Sequence, residues 1–395
     1  MRRTSPLLLT ALAVLVAACE KKAPPATSPA ATPAEASKQP PSDSAPILVG
    51  QVGSLTGSEA TFGVSGREGI SLALQEANAA GGVKGRPLAL RVYDSQGKPE
   101  EAAQAAARLI SQDKVVVILG EAASSNSMAM ADKAQAAGVP MITPTSTNPA
   151  VTQKGDYIFR VCFIDPFQGE VMARFAQDNL HLKRVAVLQD NKSAYSVGLT
   201  DEFRRKFTEL GGTVVATESY SKGDTDFRAQ LTTLKKTRPE ALFVPGYYTD
   251  AGIIARQARE LGMTLPLLGG DGWDSARLFE LGGEAIEGSY YSNHYSEENP
   301  DPELQAFITR YKAAYGQVPD GVGALAYDAA RLAIAAMKRA PDLSGPALRN
   351  AIAATRDFPG VGGSITLDAN RDAVKQAVIL KVEGGKARFV TTLKP

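Results

Sequence analysis

From Ile47 onward the chain alternates short, largely apolar runs with helical patterns, and few folds accommodate that rhythm. Residues 47–53 (ILVGQVG), 88–93, 115–119 (VVVIL) and 141–143 read as strands. Between them, residues 67–80, 99–112 and 125–137 carry helical spacing and stop at Gly81-Gly82 or Gly138. Apolar runs without polar alternation belong to strands covered on both faces, and strands separated by helices pair in parallel through βαβ crossovers. The rhythm restarts after Asp165. Strands are expected at 184–189, 213–218, 241–244 and 267–268, with helices at 197–210, 227–236 and 251–261. Helices near 302–315, 321–339 and 346–354 follow, then strands at 364–367 and 377–382. Two rounds of this kind predict an α/β protein of two doubly wound parallel-sheet lobes with more than one crossover. The foldable part, residues 47–395, is long enough for two domains.

The first 46 residues are of a different kind. Arg2 and Arg3 precede an apolar run, 7–16, too short to span a bilayer, and small residues lead to Cys19. This is the order of a secretory signal peptide over residues 1–18. Val16-Ala17-Ala18-Cys19 resembles the bacterial lipobox, which implies a lipid attached to Cys19 and a membrane anchor. Residues 19–46 hold seven prolines from Pro24 on, among Ala, Ser, Thr and Lys, and read as a disordered tether. No later segment is apolar and long enough to be transmembrane. The expected location is therefore outside the cytoplasm, on a membrane through the anchor.

Composition narrows the chemistry. Lys+Arg 43 against Asp+Glu 42 leaves a net charge of +1, so no whole-molecule field steers the chain onto nucleic acid. Two cysteines and two histidines exclude a disulfide scaffold and a zinc site of clustered Cys and His. No phosphate loop, dinucleotide fingerprint or nucleophile elbow is present, so neither a cofactor nor an enzyme is expected. His181 reads as a surface helix end, His294 as a linker residue after a strand, and Cys162 as a buried packing residue.

The informative segments lie at strand ends. After 115–119 come Gly120-Glu121-Ala122-Ala123-Ser124-Ser125-Asn126-Ser127 and then a helix. Helix N-termini attract anions through free N–H groups, although capping by Ser or Asn accounts for these residues equally well. Thr143-Pro144-Thr145-Ser146-Thr147 ends the next strand and brings more hydroxyls to the same sheet edge. Two polar loops there could bind a carboxylate.

Together with Leu48–Gly57 (LVGQVGSLTG), Gly63-x-x-x-Arg67-Glu68-Gly69, EANAAGGV at 76–83, Gly85, Asp94 and MITPT at 141–145, these residues form an ordered series. Phe159-Arg160, Gly246-Tyr247, Arg256-Gln257-Ala258 and Gly270-Asp271-Gly272 continue it. The series resembles the leucine/isoleucine/valine-binding family of type I periplasmic solute-binding proteins. The resemblance implies two lobes, 47–163 plus 293–378 and 164–292 plus 379–395, joined by three crossover strands near 160–165, 291–295 and 376–380. It implies an amino-acid ligand, ABC importer permease subunits as partner, and a monomer. Ser124, Thr145 and Thr147 would hold the ligand carboxylate from one lobe. Tyr195 and Tyr247 would close from the other, and Asp271 would pair with the ammonium. Asp stands where leucine-type binders carry Glu. Phe62 would cover the side-chain pocket and Trp273 would shape it or pack on the lobe. Aromatic amino acids, amides, urea-like ligands and a sensor role stay open, with an enzyme on the same fold as the outlying alternative.

Overall fold

The computed structural model describes residues 45–395. The signal segment 1–18, Cys19 and all but the end of the tether lie outside the described residues. The first sheet holds five parallel strands: β1 (Ile47–Gly53), β2 (Leu88–Asp94), β3 (Val117–Leu119), β4 (Met141–Thr143) and β5 (Ile158–Arg160), ordered β2-β1-β3-β4-β5. Helices α1 (Ala60–Ala79), α2 (Pro99–Arg108) and α3 (Ser124–Ala137) connect them. After α4 (Asp165–Arg174), the second sheet begins with β6 (Arg184–Asp190) and β7 (Thr213–Tyr220), joined by α5 (Ala194–Glu209). Helix α6 (Arg228–Lys236), β8 (Ala241–Phe243), α7 (Tyr248–Glu260), β9 (Leu267–Gly269), α8 (Ala276–Gly282) and β10 (Tyr290–Asn293) continue it.

The chain then returns to the first lobe with α9 (Pro302–Tyr315), α10 (Gly321–Arg339) and α11 (Gly345–Ala353). A small antiparallel sheet follows, of β11 (Phe358–Gly360), β12 (Gly363–Leu367) and β13 (Ala373–Val374). Strands β14 (Ala377–Glu383) and β15 (Lys386–Leu393) rejoin the second sheet, whose order is β15-β14-β10-β9-β8-β6-β7. The chain thus passes between sheets three times, after β5, after β10 and before β14.

The second sheet departs from the expected purely parallel one. Strand β14 runs antiparallel to β10, and β15 antiparallel to β14. All of β14 belongs to this sheet, including Ala377 and Val378, which the expected lobe division assigns to the first lobe. A terminal hairpin needs no helical crossover, and its outer strand carries one exposed face that breaks the apolar signature of a covered strand.

Helix α1 starts seven residues before the expected position, a start hidden in the sequence because its first turns are rich in glycine, a poor helix former. Packing demands those glycines. A Cβ at Gly63 would lie 2.1 Å from the Ser54 carbonyl oxygen, and one at Gly69 2.2 Å from that of Gly323 at the start of α10. Close approach of α1 and α10 therefore fixes the residue type, and with it the placement of the α10 N-terminus beside the site.

Candidate ligand-binding site

The site grows from strand ends. Gly120 ends β3 in a left-handed conformation (φ 111°), and a Cβ there would meet the Val52 carbonyl oxygen at 2.2 Å. Buried Glu121 then pins the loop: its carboxylate accepts from Ser54 Oγ at 2.8 Å, Ser95 Oγ at 2.7 Å and Ala123 N at 2.8 Å. Its carbonyl oxygen accepts from Thr143 Oγ1 at 2.6 Å and Ser127 Oγ at 2.9 Å. Ala123 occupies the N-cap position of α3 without any side-chain cap, so capping does not account for the serines. Ser124 Oγ accepts instead from Asn148 N at 3.3 Å, and Ser125 Oγ from Ala194 N of the other lobe at 3.0 Å.

Arg160, fully buried at the end of β5, holds the neighbouring loop. Its Nε lies 2.6 Å from Asp372 Oδ1, and its other nitrogens donate to the carbonyl oxygens of Ser146 and Asn148. A buried charge is tolerable when paired and surrounded by acceptors, and here that requirement sets the path of the chain through Thr145 and Thr147. Cys162 packs beside it, and burial pushes its thiol up to about 12, which removes it as a nucleophile.

Facing these loops, the second lobe presents β9 and β10 ends. Asp271 is buried; its Oδ1 accepts from Gln168 Nε2 at 2.8 Å and its Oδ2 from His294 Nε2 at 2.9 Å. His294 is not the linker residue the sequence suggests. It is buried and stacks on Phe163 at 3.9 Å, and burial lowers its proton affinity although Asp271 draws it up. Tyr195 and Tyr247 stack at 5.3 Å, and Gly272 N donates to the Tyr195 hydroxyl at 3.2 Å. Burial raises both phenols well above their ordinary value, so they stay protonated. Phe62 meets Tyr247 edge-on at 5.8 Å and Tyr248 at 5.1 Å.

Phe62, Ser124, Thr145, Tyr195, Tyr247 and Asp271 all line one cavity between the lobes. Two expected residues do not. Trp273 is fully buried beneath it, neither shaping the pocket nor partly exposed; its Nε1 donates to the Val244 carbonyl at 3.0 Å, and its ring fills the space over Gly269. Thr147 is buried outside the cavity wall, and its hydroxyl has no protein hydrogen-bond partner. Sequence reasoning missed Asp274, Asn293, His294 and Gly321, which complete the wall. The Gly270-Asp271-Gly272 motif lies only two residues before Asp274, and Asn293 ends a strand, but neither carried a pattern of its own.

The lobes are closed on each other. Thr249 Oγ1 donates to the Ser58 carbonyl at 2.6 Å, Asn148 Nδ2 to that of Ala194 at 2.8 Å, and Lys222 Nζ lies 2.5 Å from Glu59 Oε1. A hinged pair of α/β lobes enclosing a polar cavity at the strand ends defines a solute-binding protein of the type I fold. The profile of the periplasmic binding protein family matches residues 46–387, and the chain belongs to that family. Leu/Ile/Val-binding protein homolog 3 of Brucella melitensis is 33% identical over 270 residues, 68% of this chain and 73% of that protein. The leucine-binding protein LivK of Thermotoga maritima is 41% identical, with a TM-score of 0.84, covering 88% of this chain and 99% of its own. LivJ of Streptococcus pneumoniae, a branched-chain amino acid transporter substrate-binding protein solved with isoleucine, is 34% identical. Its TM-score is 0.84 over 89% of this chain and all of its own.

Proposed function

We propose that this chain captures a branched-chain amino acid between its closing lobes and hands it to the permease subunits of an ABC importer. The observation that carries the reading is the division of poles. Ser124 and Thr145, which carry hydroxyls, line the cavity from one lobe, and Asp271, which carries a carboxylate, lines it from the other. An α-amino acid carries both charges near one carbon, and desolvating one without a partner is costly, so a site for it needs both poles at once. The aromatic and aliphatic wall of Phe62, Tyr247, Ala122 and Val322 suits an apolar side chain. The relatives' names point the same way.

Splitting the poles makes ligand binding the force that shifts an open–closed equilibrium. The lobes are taken as 47–163 with 295–376, and 164–294 with 377–395, since β10 through Asn293 pairs within the second sheet. Calorimetry should show binding of leucine, isoleucine or valine, and solution scattering of residues 47–395 should show a smaller radius of gyration at saturating ligand. Binding without compaction would contradict the two-lobe mechanism.

The protein acts as a monomer outside the cytoplasm, held to a membrane by lipid on Cys19. Among the described residues no helix is long and apolar enough to cross a membrane. Cys19→Ser should abolish incorporation of a radioactive fatty acid; persisting label would contradict the anchor.

A further inference from the structure

A second, larger space adjoins the ligand cavity. It measures about 1540 Å³ against about 340 Å³, each counting all space not filled by atoms, including space open to solvent. The two share Asp274 and Asn293 in their walls. Asp274 Oδ2 accepts from Gly321 N at 2.5 Å, and Oδ1 from the Tyr291 hydroxyl at 3.3 Å. Asp274 and Asn293 belong to the second lobe, whereas Gly321 opens α10 of the first, so this contact exists only with the lobes together. A Cβ at Gly321 would lie 2.9 Å from both Asn293 Oδ1 and Asp274 Oδ2. Three residues thus meet without room for another atom. Beyond them the larger space is lined on one side by apolar Val64, Phe279 and Leu380, able to receive a hydrocarbon chain, and elsewhere by polar groups such as Ser296, Glu297 and Lys386.

We propose that Asp274 and Asn293, closing against Gly321, form the end wall of the ligand side-chain subsite and set the longest side chain on which the lobes can close. The inference rests on the amino-acid reading above and adds the residues that decide ligand length. Within that reading the two poles fix the α-carbon, and the proposed path of the side chain runs along Phe62 and Val322 toward this wall, all of which line the same cavity. A chain that reaches the wall keeps Asp274 from Gly321 and so opposes closure itself. That makes the wall a sharper filter than a pocket wall within one lobe, because it opposes the whole open–closed shift and not one contact. With the wall cut back, each further methylene enters the apolar side of that space instead.

The test is a length series by calorimetry: leucine, norvaline, norleucine and 2-aminoheptanoate on the intact protein, Asn293→Ala and Asp274→Ala. In the unaltered protein, affinity relative to leucine should fall sharply once the chain exceeds the wall. In Asn293→Ala, which keeps the Asp274–Gly321 contact, the ratio of 2-aminoheptanoate to leucine affinity should rise at least tenfold, about fourfold for each methylene newly buried. Asp274→Ala should move the limit in the same direction with weaker binding throughout. An unchanged ratio in Asn293→Ala that still binds leucine overturns the wall and leaves the amino-acid reading standing. A folded Asn293→Ala that binds no member also counts against it, since it makes Asn293, whose Oδ1 accepts from His294 N at 2.8 Å, a support of the Asp271 pole instead of an end wall. Failure of the unaltered protein to bind any member overturns the amino-acid reading and the wall together.

Discussion

Replacing Asp271 with alanine is expected to lower affinity for a free amino acid by roughly 10²- to 10⁴-fold, about 3–5 kcal/mol by the cost of breaking a buried pair. Its two hydrogen-bond partners explain why the residue is so exposed to loss. Gln168 Nε2 and His294 Nε2 each donate to one of its oxygens. An ionised carboxylate only accepts, so the imidazole carries its proton on Nε2. Burial holds that ring toward its neutral form. Both donors are thus uncharged: they fix the direction of the carboxylate without cancelling its charge, which is left for the ligand ammonium. In the alanine variant the ammonium is buried without a counter-charge, and Gln168 and His294 lose their acceptor. Asp271→Asn separates charge from shape, because it keeps an acceptor yet carries no charge. Titration calorimetry with leucine should find both variants impaired to a similar degree. Thermal melts without ligand should shift far less than ligand-bound ones. Asp271→Asn binding leucine as the unaltered protein does would overturn the ammonium pairing.

That arrangement was only partly legible in the sequence. The βαβ rhythm was readable because covered strands are apolar throughout, and β1, β4, β8 and β9 fall within a residue or two of their expected places. So were most helix starts, with α2, α3, α6, α9, α10 and α11 within a residue of theirs, but three were not. Helices α1, α5 and α7 each begin at least three residues before the apolar pattern appears. Their first turns carry Phe62, Tyr195 and Tyr248, which face the cavity or the other lobe and obey no amphipathic period. The hairpin strand β15 was missed because Arg388, Phe389 and Val390 are exposed in succession, where a register shift interrupts its pairing with β14, so neither an apolar run nor a clean alternation marks it. His294 was misread for a related reason. A histidine at a strand end has no sequence signature of burial, and only the crossing of β10 between lobes brings it against Asp271 and Phe163. The end wall, built from Asp274, Asn293 and Gly321, joins three segments of chain that no local pattern links.

Ligand affinity is expected to fall by on the order of tenfold or more between pH 5 and pH 8, and Glu59 should carry much of that change. Glu59 lies in the β1–α1 loop of the first lobe, with its side chain 3% exposed. Lys222, from the loop after β7 in the second lobe, reaches across to it and donates to the Gly97 carbonyl at 2.7 Å. Burial pushes the Glu59 carboxyl up to about 7; Lys222 pulls it down, while Glu121 and Asp250 push it further up. Opening the lobes would return it to water and to an ordinary value near 4.5. The closed state therefore takes up a proton between those two values. Its advantage is full below about 4.5 and is lost as pH rises through about 7, so closure and affinity weaken toward alkaline pH. The ion pair does not reverse this sign, because its attraction is already contained in the raised value: Lys222 offsets only part of the cost of burying the charge. Other buried carboxyls are also raised, Asp250 to about 6 and Asp320 to about 7, and respond in the same sense where opening wets them. Glu59→Gln isolates the contribution of Glu59, since the amide fills the same space and never ionises. Its affinity profile should be flatter than that of the unaltered protein from pH 5 to pH 8, with the largest gain at the alkaline end. Lys222→Ala should steepen the profile, because the buried carboxylate then has no cation against it. Parallel profiles for the unaltered protein and Glu59→Gln would show that closure takes up its protons elsewhere.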